Sequence, residues 1–438
     1  MQKRFLDIIK PQRFPFFYGW LIVFVGVAGS IMSVPGQTIG VSVFTDHLIN
    51  TLAITRDSLS LAYLIGTIGS ALVLSYSGLL LDKIGSQKFG IIISFCLGLV
   101  LVLLSFVGSF LEIMQNLLPG LSTTLLSMIL ISLGFFLIRF LGQGSLTIVS
   151  RNLPMKWFTS YRGRINAVAG AFITFGFNGA PKLFSLLIDH FTWQGTWRIL
   201  GFIIMITGVI LFGLFAKERP EDYGLTQDGL GNSTNKNTIN KVKPQVEDKE
   251  LAFVRTDYVF WIFIGIICMN SLYGTGLTFH IVSIFTQNDL SPDMAVSIFI
   301  PSAIISVIVN FVASGISDFV KMKYILMLQA FGILLTTLST YFLAPGIAVF
   351  GIILGNGIAG GLMNLLLTVT WPRFYGTKHL GAISGFAMTF IVAGSALGPF
   401  ILSKSLTVFG SYGNAALFIA SLTALLFVGA LFIREPKP

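Results

Sequence analysis

Apolar stretches long enough to cross a lipid bilayer recur along this sequence from Phe16 to Ile433, and short polar turns separate them. Only 11% of the 438 residues are charged and 54% are hydrophobic, whereas soluble proteins carry about 25% charged residues. Lipid must be the solvent for most of the chain, so we expect an all-α membrane protein with twelve transmembrane helices. Their approximate bounds are 16–46, 58–81, 88–110, 123–149, 164–189, 197–216, 257–287, 293–319, 323–343, 346–370, 380–403 and 412–433.

The positive charges are concentrated in alternate loops. Lys and Arg clusters precede the first apolar stretch and follow every second stretch, while the other loops offer little beyond Arg56, Arg198 and Lys404. By the positive-inside rule, both termini are cytoplasmic. The net charge of +10 is thus a topology signal and does not indicate a nucleic-acid partner, which would need Lys and Arg on a soluble face. We expect a multi-pass protein of a cell membrane, the inner membrane in a bacterium.

Internal repetition indicates a duplicated architecture. Residues 41–45 (VSVFT) return as residues 282–286 (VSIFT). Asp82, at the end of the second span, returns as Asp318 at the end of the eighth. The order and spacing of these matches predict two six-helix halves related by pseudo-symmetry. Many secondary carriers are built from such repeats, with the solute site near the membrane midplane.

The longest hydrophilic stretch lies between the sixth and seventh spans and contains the run GLGNSTNKNTINKVKPQ. Its Asn, Gly, Thr and Lys content cannot bury enough apolar surface to fold, so it is expected to be a cytoplasmic linker. The sequence therefore predicts an N-terminal half over residues 1–216, a linker over 217–256 and a C-terminal half over 257–438.

The loop between the second and third spans reads Gly78-Leu-Leu-Leu-Asp82-Lys83-Ile-Gly85-Ser86-Gln87-Lys88. It resembles the signature loop of the major facilitator superfamily, although Ser86 and Gln87 replace basic residues. The resemblance implies the fold of that family and a cytoplasmic gate closed by charge contacts. The gating residues that it implies are Gly78, Asp82, Lys83, Gly85, Lys88 and, in the second copy of the loop, Asp318.

The fourth span contains Arg139-Phe-Leu-Gly142-Gln143-Gly144, which resembles the Arg-and-glycine signature of the same superfamily's fourth helix. An Arg near mid-membrane costs about 3 kcal/mol on insertion scales, so it normally faces a cavity or a partner. Two interpretations of Arg139 stay open: contact with a solute anion, or a structural bond to backbone carbonyls.

Three further motifs resemble the branch of monocarboxylate and oxalate/formate carriers. They are Tyr18-Gly19-Trp20, Lys156-Trp157-Phe158 with Arg162-Gly163-Arg164, and Arg219-Pro-Glu-Asp-Tyr-Gly-Leu. The carriers of that branch use charged residues in the eighth helix, and between Asp293 and Ser317 this sequence has none.

The polar residues inside the spans supply the candidate solute contacts. Arg139 and Lys182 are cations, and a solute anion would relieve the cost of burying them. Lys182 could instead snorkel to the outer surface or pair with Asp189. His280 could couple transport to protons or be a neutral, hydrogen-bonded core residue. The uncharged candidates are Gln37, Asn270, Tyr273 and Asn364, each of which could equally hold helices together.

These features favour a secondary active transporter that moves a small organic solute, a carboxylate-type anion, by alternating access, as a symporter or antiporter. A multidrug or hydrophobic-compound exporter of the same fold is the alternative, and a non-transporting membrane receptor is a third. We expect no enzymatic activity, metal or cofactor, because the sequence has no nucleophile-and-base pattern, metal-ligand spacing or phosphate-binding loop. The expected partners are the solute and the lipid bilayer, and the expected state is a monomer.

Overall fold

The computed structural model describes residues 9–229 and 247–435, and within these residues it contains helices and no strand. The long helices are α1 (Gly19–Met32), α2 (Arg56–Ile84), α3 (Ser86–Leu104), α4 (Thr123–Met155), α5 (162–191), α6 (193–215), α7 (Tyr258–Gln287), α8 (Phe299–Ile316), α9 (Met322–Tyr341), α10 (Ile347–Tyr375), α11 (Leu380–Phe409) and α12 (Gly413–Leu431). The shorter helices are Pro11–Arg13, Val34–Gly36, Thr38–Val41, Ser42–Phe44, Thr45–Leu52, Val107–Leu117, Glu221–Tyr223, Gln227–Gly229, Leu251–Thr256 and Pro292–Ser297.

Ten helices in the described ranges are long and apolar enough to cross a membrane, and α1 is a shorter apolar helix of 14 residues. The abundance of exposed Leu, Ile and Phe side chains on these helices is what a lipid-facing surface requires. The all-α membrane prediction is therefore confirmed.

The first predicted span, 16–46, is broken into pieces. Helix α1 ends at Met32, and the short helices Val34–Gly36 and Thr38–Val41 follow it. Pro35 supplies the reason, because proline has no N–H for the helix ladder and its ring clashes with the preceding turn. The break places the side chains of Gln37 and Thr38 beside α4, which they contact.

Helix α4 changes its winding in the middle. Residues Arg139–Leu146 form a π-helical segment between two α-helical parts. Such segments insert an extra residue into a helical turn and frequently occur at functional sites. The change of winding begins at Arg139, the candidate cation.

Helices α5 and α6 are joined without a loop. The helical hydrogen bonding runs from Arg162 to Ile210, but Thr192 has φ 63° and ψ 167°, which is not helical. A β-branched residue at positive φ is strained. The Thr192 hydroxyl accepts a hydrogen bond of 3.3 Å from the N–H of Gly195 and so caps the first turn of α6.

The predicted linker is folded at its start and at its end. The carbonyl of Lys217, a residue that is 1% exposed, accepts a hydrogen bond from the indole N–H of Trp157 at 2.8 Å. Residues Leu251–Thr256 form a helix just before α7. Residues 230–246 of the linker lie outside the described residues.

The chain forms two compact units. The first contains Met1–Thr159, Phe172–Val242 and Leu380–Met388. The second contains Ser160–Ala171, Lys243–His379 and Thr389–Pro438. Each unit follows one predicted half, except that the start of α11 belongs to the first unit and the start of α5 to the second. The predicted domain boundaries stay a prediction.

Candidate solute and gating sites

Arg139 lies at the start of the π-helical segment of α4 and is 1% exposed. Its Nη1 donates to Thr38 Oγ1 at 3.1 Å and to the carbonyl oxygen of Gly36 at 3.4 Å. Its Cζ lies 5.1 Å from the centroid of the Tyr63 ring, a cation–π contact. Within the described residues its Nε–H has no hydrogen-bond partner, and no carboxylate forms an ion pair with it. The guanidinium is thus partly bonded but its charge is not neutralised.

Gln37 belongs to the same polar patch of the first unit. Its Nε2 donates to Ser33 Oγ at 3.1 Å and to Thr147 Oγ1 of α4 at 3.2 Å. Another α4 residue, Gln143, carries a buried Oε1 that has no partner in the described part of the chain. The break after α1 and the π segment of α4 therefore bring Gln37 and Arg139 to the same patch, and their role as solute contacts stays a prediction.

Lys182, the other predicted cation, lies in α5. Its side chain lies outside the described residues, so its role as a solute contact stays a prediction.

The four predicted solute contacts of the second unit have different neighbours. Asn270 Nδ2 donates to the carbonyl of Ala359 at 3.5 Å, which joins α7 to α10. His280 Nε2 lies 3.0 Å from the carbonyl oxygen of Pro399 in α11. Since a carbonyl oxygen only accepts, Nε2 carries the hydrogen. Tyr273, 2% exposed, lies in the apolar core of the unit. Asn270 and His280 thus join α7 to α10 and α11, while the Tyr273 hydroxyl has no hydrogen-bond partner in the described ranges. Their roles as solute contacts stay predictions.

Asn364 belongs to a cluster of uncharged polar side chains that joins α5, α8 and α10. Its Nδ2 lies 3.5 Å from Asn166 Oδ1, and Asn166 Nδ2 donates to Ser314 Oγ at 3.0 Å. Ser314 in turn donates to Asn310 Oδ1 at 3.1 Å. We call Asn166, Asn310, Ser314 and Asn364 the amide cluster. The sequence analysis singled out Asn364 alone, although Asn166 and Asn310 were visible as polar residues in apolar spans.

Asp82, at the end of α2, caps the first turn of α11 in the first unit. Its Oδ1 accepts from the N–H of Gly381 at 2.8 Å, and its Oδ2 accepts from the N–H of Ala382 at 2.7 Å. A carboxylate at a helix N-terminus is stabilised by the free N–H groups and by the helix dipole. The approach needs a glycine one turn earlier, because a Cβ on Gly78 would lie 2.1 Å from the Gly381 oxygen.

Asp318, which follows α8, makes the equivalent contact in the second unit. Its Oδ1 accepts from the N–H of Gly163 at 2.8 Å, at the first turn of α5, and its Oδ2 lies 3.4 Å from the N–H of Arg164. A Cβ on Gly163 would lie 2.0 Å from Ser317 Oγ. The repeated Asp residues therefore cap repeated helices, each from the other half of the sequence.

The remaining predicted gating residues surround the turn between α2 and α3. Gly85 has φ +81°, which a residue with a side chain rarely adopts. Lys83 and Lys88 are exposed. The turn is fixed instead by an acidic residue that the sequence analysis missed: Glu218 accepts from the N–H of Ser86 at 2.7 Å.

Glu218 also forms a buried ion pair with Lys156 Nζ, and Lys156 is 4% exposed. Burial alone would raise the pKa of Glu218, but the Lys156 ammonium and the bonds from Ser86 outweigh it, so the pKa is lowered. Lys156 begins one of the motifs that the sequence analysis used for family resemblance, and Glu218 immediately precedes another, the one that begins at Arg219. The sequence analysis did not consider that the two residues could form an ion pair.

We expect Glu218→Gln to lower the thermal stability of the purified protein at neutral pH, because it leaves Lys156 buried without its counter-charge, at a cost of about 3 kcal/mol. A lowered carboxyl pKa stabilises above the unfolded pKa of about 4.3 and ceases to do so as the pH falls through the folded value. The wild type should therefore lose more stability on acidification than the variant. Glu221→Gln, at an exposed acid, is the control; equal pH profiles for wild type and Glu218→Gln would contradict the argument.

Comparison with known proteins agrees with this architecture. A family model described as the Major Facilitator Superfamily matches residues 20–399. The chain is similar to the structure of the proton:xylose symporter XylE bound to 6-bromo-6-deoxy-D-glucose, with a TM-score of 0.62 and 16% identity over 96% of this chain and 97% of that one. It is also similar to a variant of the E. coli fucose:proton symporter FucP, with a TM-score of 0.59 and 15% identity over 96% of this chain and 100% of that one. A comparison with curated protein sequences found no match.

Proposed function

Since this chain belongs to the Major Facilitator Superfamily, we propose that it is a secondary transporter of a small organic anion, of the carboxylate type, that works by alternating access. Its membrane location and its small-molecule substrate follow from the family. That the transported substrate is an anion goes beyond the family, and one observation supports it. Arg139 is a buried guanidinium whose charge is not neutralised by any described carboxylate, and whose Nε–H is unbonded.

The energetic argument for an anion is the cost of this charge. A lone buried cation is expensive in a membrane protein, and an anion that binds to it offsets that cost. Guanidinium groups bind carboxylates through paired N–H donors. The hydrogen-bond acceptors of Arg139 are one hydroxyl and one carbonyl, and its third contact is the Tyr63 ring, so none of the three neutralises its charge.

The gating role of Asp82 and Asp318 is part of the proposal. Each carboxylate joins a helix of one sequence half to the first turn of a helix from the other. In an alternating-access cycle these bonds form when the cytoplasmic side closes and break when it opens. Gly78 permits the close approach at Asp82, and Gly85 permits the turn that follows it.

A second candidate substrate is an uncharged polyhydroxylated solute. The amide cluster of Asn166, Asn310, Ser314 and Asn364 offers donors and acceptors without charge, which suits hydroxyl groups. The two similar structures are those of a xylose and a fucose symporter, and at 15–16% identity their substrates do not transfer to this chain.

Uptake into proteoliposomes separates the two candidates. We expect labelled mono- and dicarboxylates to accumulate and neutral hexoses not to, with Asn364→Ala retaining most of the carboxylate uptake. Hexose uptake that Asn364→Ala removes, with no carboxylate uptake, would replace the anion by the polyhydroxylated solute.

A further inference from the structure

A polar pocket lies at one end of the first unit, apart from the solute and gating residues. Its volume is about 290 Å³, near the lower end of the roughly 300–1,000 Å³ range of small-molecule sites. Its lining residues are Thr51, Ser105, Phe106, Gly108, Ser109, Thr192, Trp193, Gln194 and Arg198. They come from the connections between α1 and α2, between α3 and α4, and between α5 and α6.

Arg198 is the charged group of the pocket, and its neighbours hold it in one orientation. Its Nε donates to Ser105 Oγ at 3.0 Å, and Ser105 donates its own hydrogen to the carbonyl of Val102 at 2.7 Å. Its Cζ lies 4.3 Å from the centroid of the Phe106 ring. No carboxylate in the described ranges forms an ion pair with it. A guanidinium fixed by its Nε presents its terminal N–H groups as a preorganised fork for an oxyanion.

The backbone adds to the positive character of the pocket. The first turn of α6, with Trp193 and Gln194, forms part of the wall. The N-terminus of a helix carries partial positive charge, and at α6 the N–H of Gly195 is bonded to the Thr192 hydroxyl. Thr192, with its positive φ, separates α5 from α6, so the first turn of α6 lies at the pocket. The hydroxyls of Thr51 and Ser109 add donors, so every polar element of the wall suits a bound anion.

Exposed phenylalanines accompany the pocket lining. Phe106 of the lining is 42% exposed, and Phe110 and Phe191, the sequence neighbours of the lining residues Ser109 and Thr192, are 37% and 53% exposed. We call these three phenylalanines the rim. In a membrane-embedded helical bundle such side chains face acyl chains. A ligand that fits the pocket and its rim together therefore has an anionic head and apolar tails.

We propose that this pocket binds the phosphate headgroup of an anionic phospholipid, with Arg198 as the principal contact. The acyl chains would lie along the exposed phenylalanines of the rim. The site is separate from the proposed transport of an organic anion, and its ligand is not the transported solute.

Native mass spectrometry of the purified protein with phosphatidylglycerol tests this proposal. We expect one phosphatidylglycerol to bind the wild type, and Arg198→Gln to weaken this binding at least about tenfold, because a charge-assisted hydrogen bond is lost. Lys404→Gln is the matched control, since Lys404 is an exposed cation over the Phe400 ring, with 5.7 Å between Nζ and the ring centroid. It should leave the affinity unchanged.

A second variant tests the pocket without changing Arg198, in case Arg198→Gln fails to fold. Ser109→Phe changes an exposed residue, keeps Arg198 and fills the pocket with a ring, so it should also reduce phosphatidylglycerol binding. Unchanged binding by both variants would overturn the proposal. Displacement of the lipid by inorganic phosphate alone, or phosphate binding without lipid binding, would assign the pocket to a free anion and overturn the lipid.

Discussion

Arg139→Ala is expected to abolish uptake of the transported anion while the protein still inserts into the membrane. The side chain is the described cation that lies buried beside the broken helix after α1, and the anion would be held by its charge. Losing a charge-assisted bond of about 3 kcal/mol lowers affinity about a hundredfold. The measurement is initial uptake of labelled carboxylate into proteoliposomes, normalised to the amount of folded protein.

Two variants separate a solute role for Arg139 from a structural one. Arg139→Lys keeps the charge and loses the planar fork, so it should bind the anion weakly but measurably. Thr38→Val keeps the charge and removes the hydroxyl that accepts from Nη1, so it should retain uptake. If Thr38→Val and Arg139→Ala lower stability and uptake equally, the guanidinium serves helix packing. Wild-type uptake by Arg139→Ala would remove the residue from the solute site.

If Asp82 and Asp318 close the cytoplasmic gate as proposed, Asp82→Asn and Asp318→Asn are expected to destabilise its closed form. Each carboxylate accepts backbone N–H bonds at a helix start through both of its oxygens. An Asn side chain has an uncharged amide and only one acceptor oxygen, so one charge-assisted bond is lost, at a cost of about 1–2 kcal/mol. Each substitution should shift the gate equilibrium about tenfold towards the open form, and the double variant about a hundredfold if the two contacts are independent. Transport should slow in all three variants, because the state with a closed cytoplasmic gate is then populated too rarely.

Opening of the gate can be measured by the rate at which a thiol reagent labels a residue that is buried in this structure. Ser384 lies in the first turns of α11, is 7% exposed and donates to Asn152 Oδ1 at 3.0 Å. A Ser384→Cys protein, with Cys96 and Cys268 replaced by Ser, should react with a water-soluble maleimide faster when the aspartates are changed. Asp257→Asn is the matched control, because Asp257 accepts from the N–H of Val259 in its own helix α7 and from the Tyr375 hydroxyl of α10, and so joins helices of one sequence half only. Equal labelling rates in all of these proteins would contradict the gating role.

Some features of the site could be predicted from the sequence because their signals are local. Asp82 and Asp318 were found through a repeated loop, and Arg139 through a charge in an otherwise apolar span. Their partners could not be found in this way. Gly381 lies 299 residues from Asp82, and Asp318 lies 155 residues from Gly163. The amide cluster and the Arg198 pocket likewise form only where separate helices pack together.

The sequence by itself determined the class of the fold and the approximate position of most of its helices, but not the break after Met32 or the joining of α5 to α6. Transfer into lipid depends on the hydropathy of each segment, and a helix in lipid satisfies its backbone hydrogen bonds within that segment. Only the tertiary structure decided which polar groups come into contact and which helix start each aspartate caps. It also decided that the π-helical segment of α4 begins at Arg139. The physical reason is that apolar helix surfaces can pack in many ways of similar energy, and close contacts between specific side chains and backbone groups choose among them.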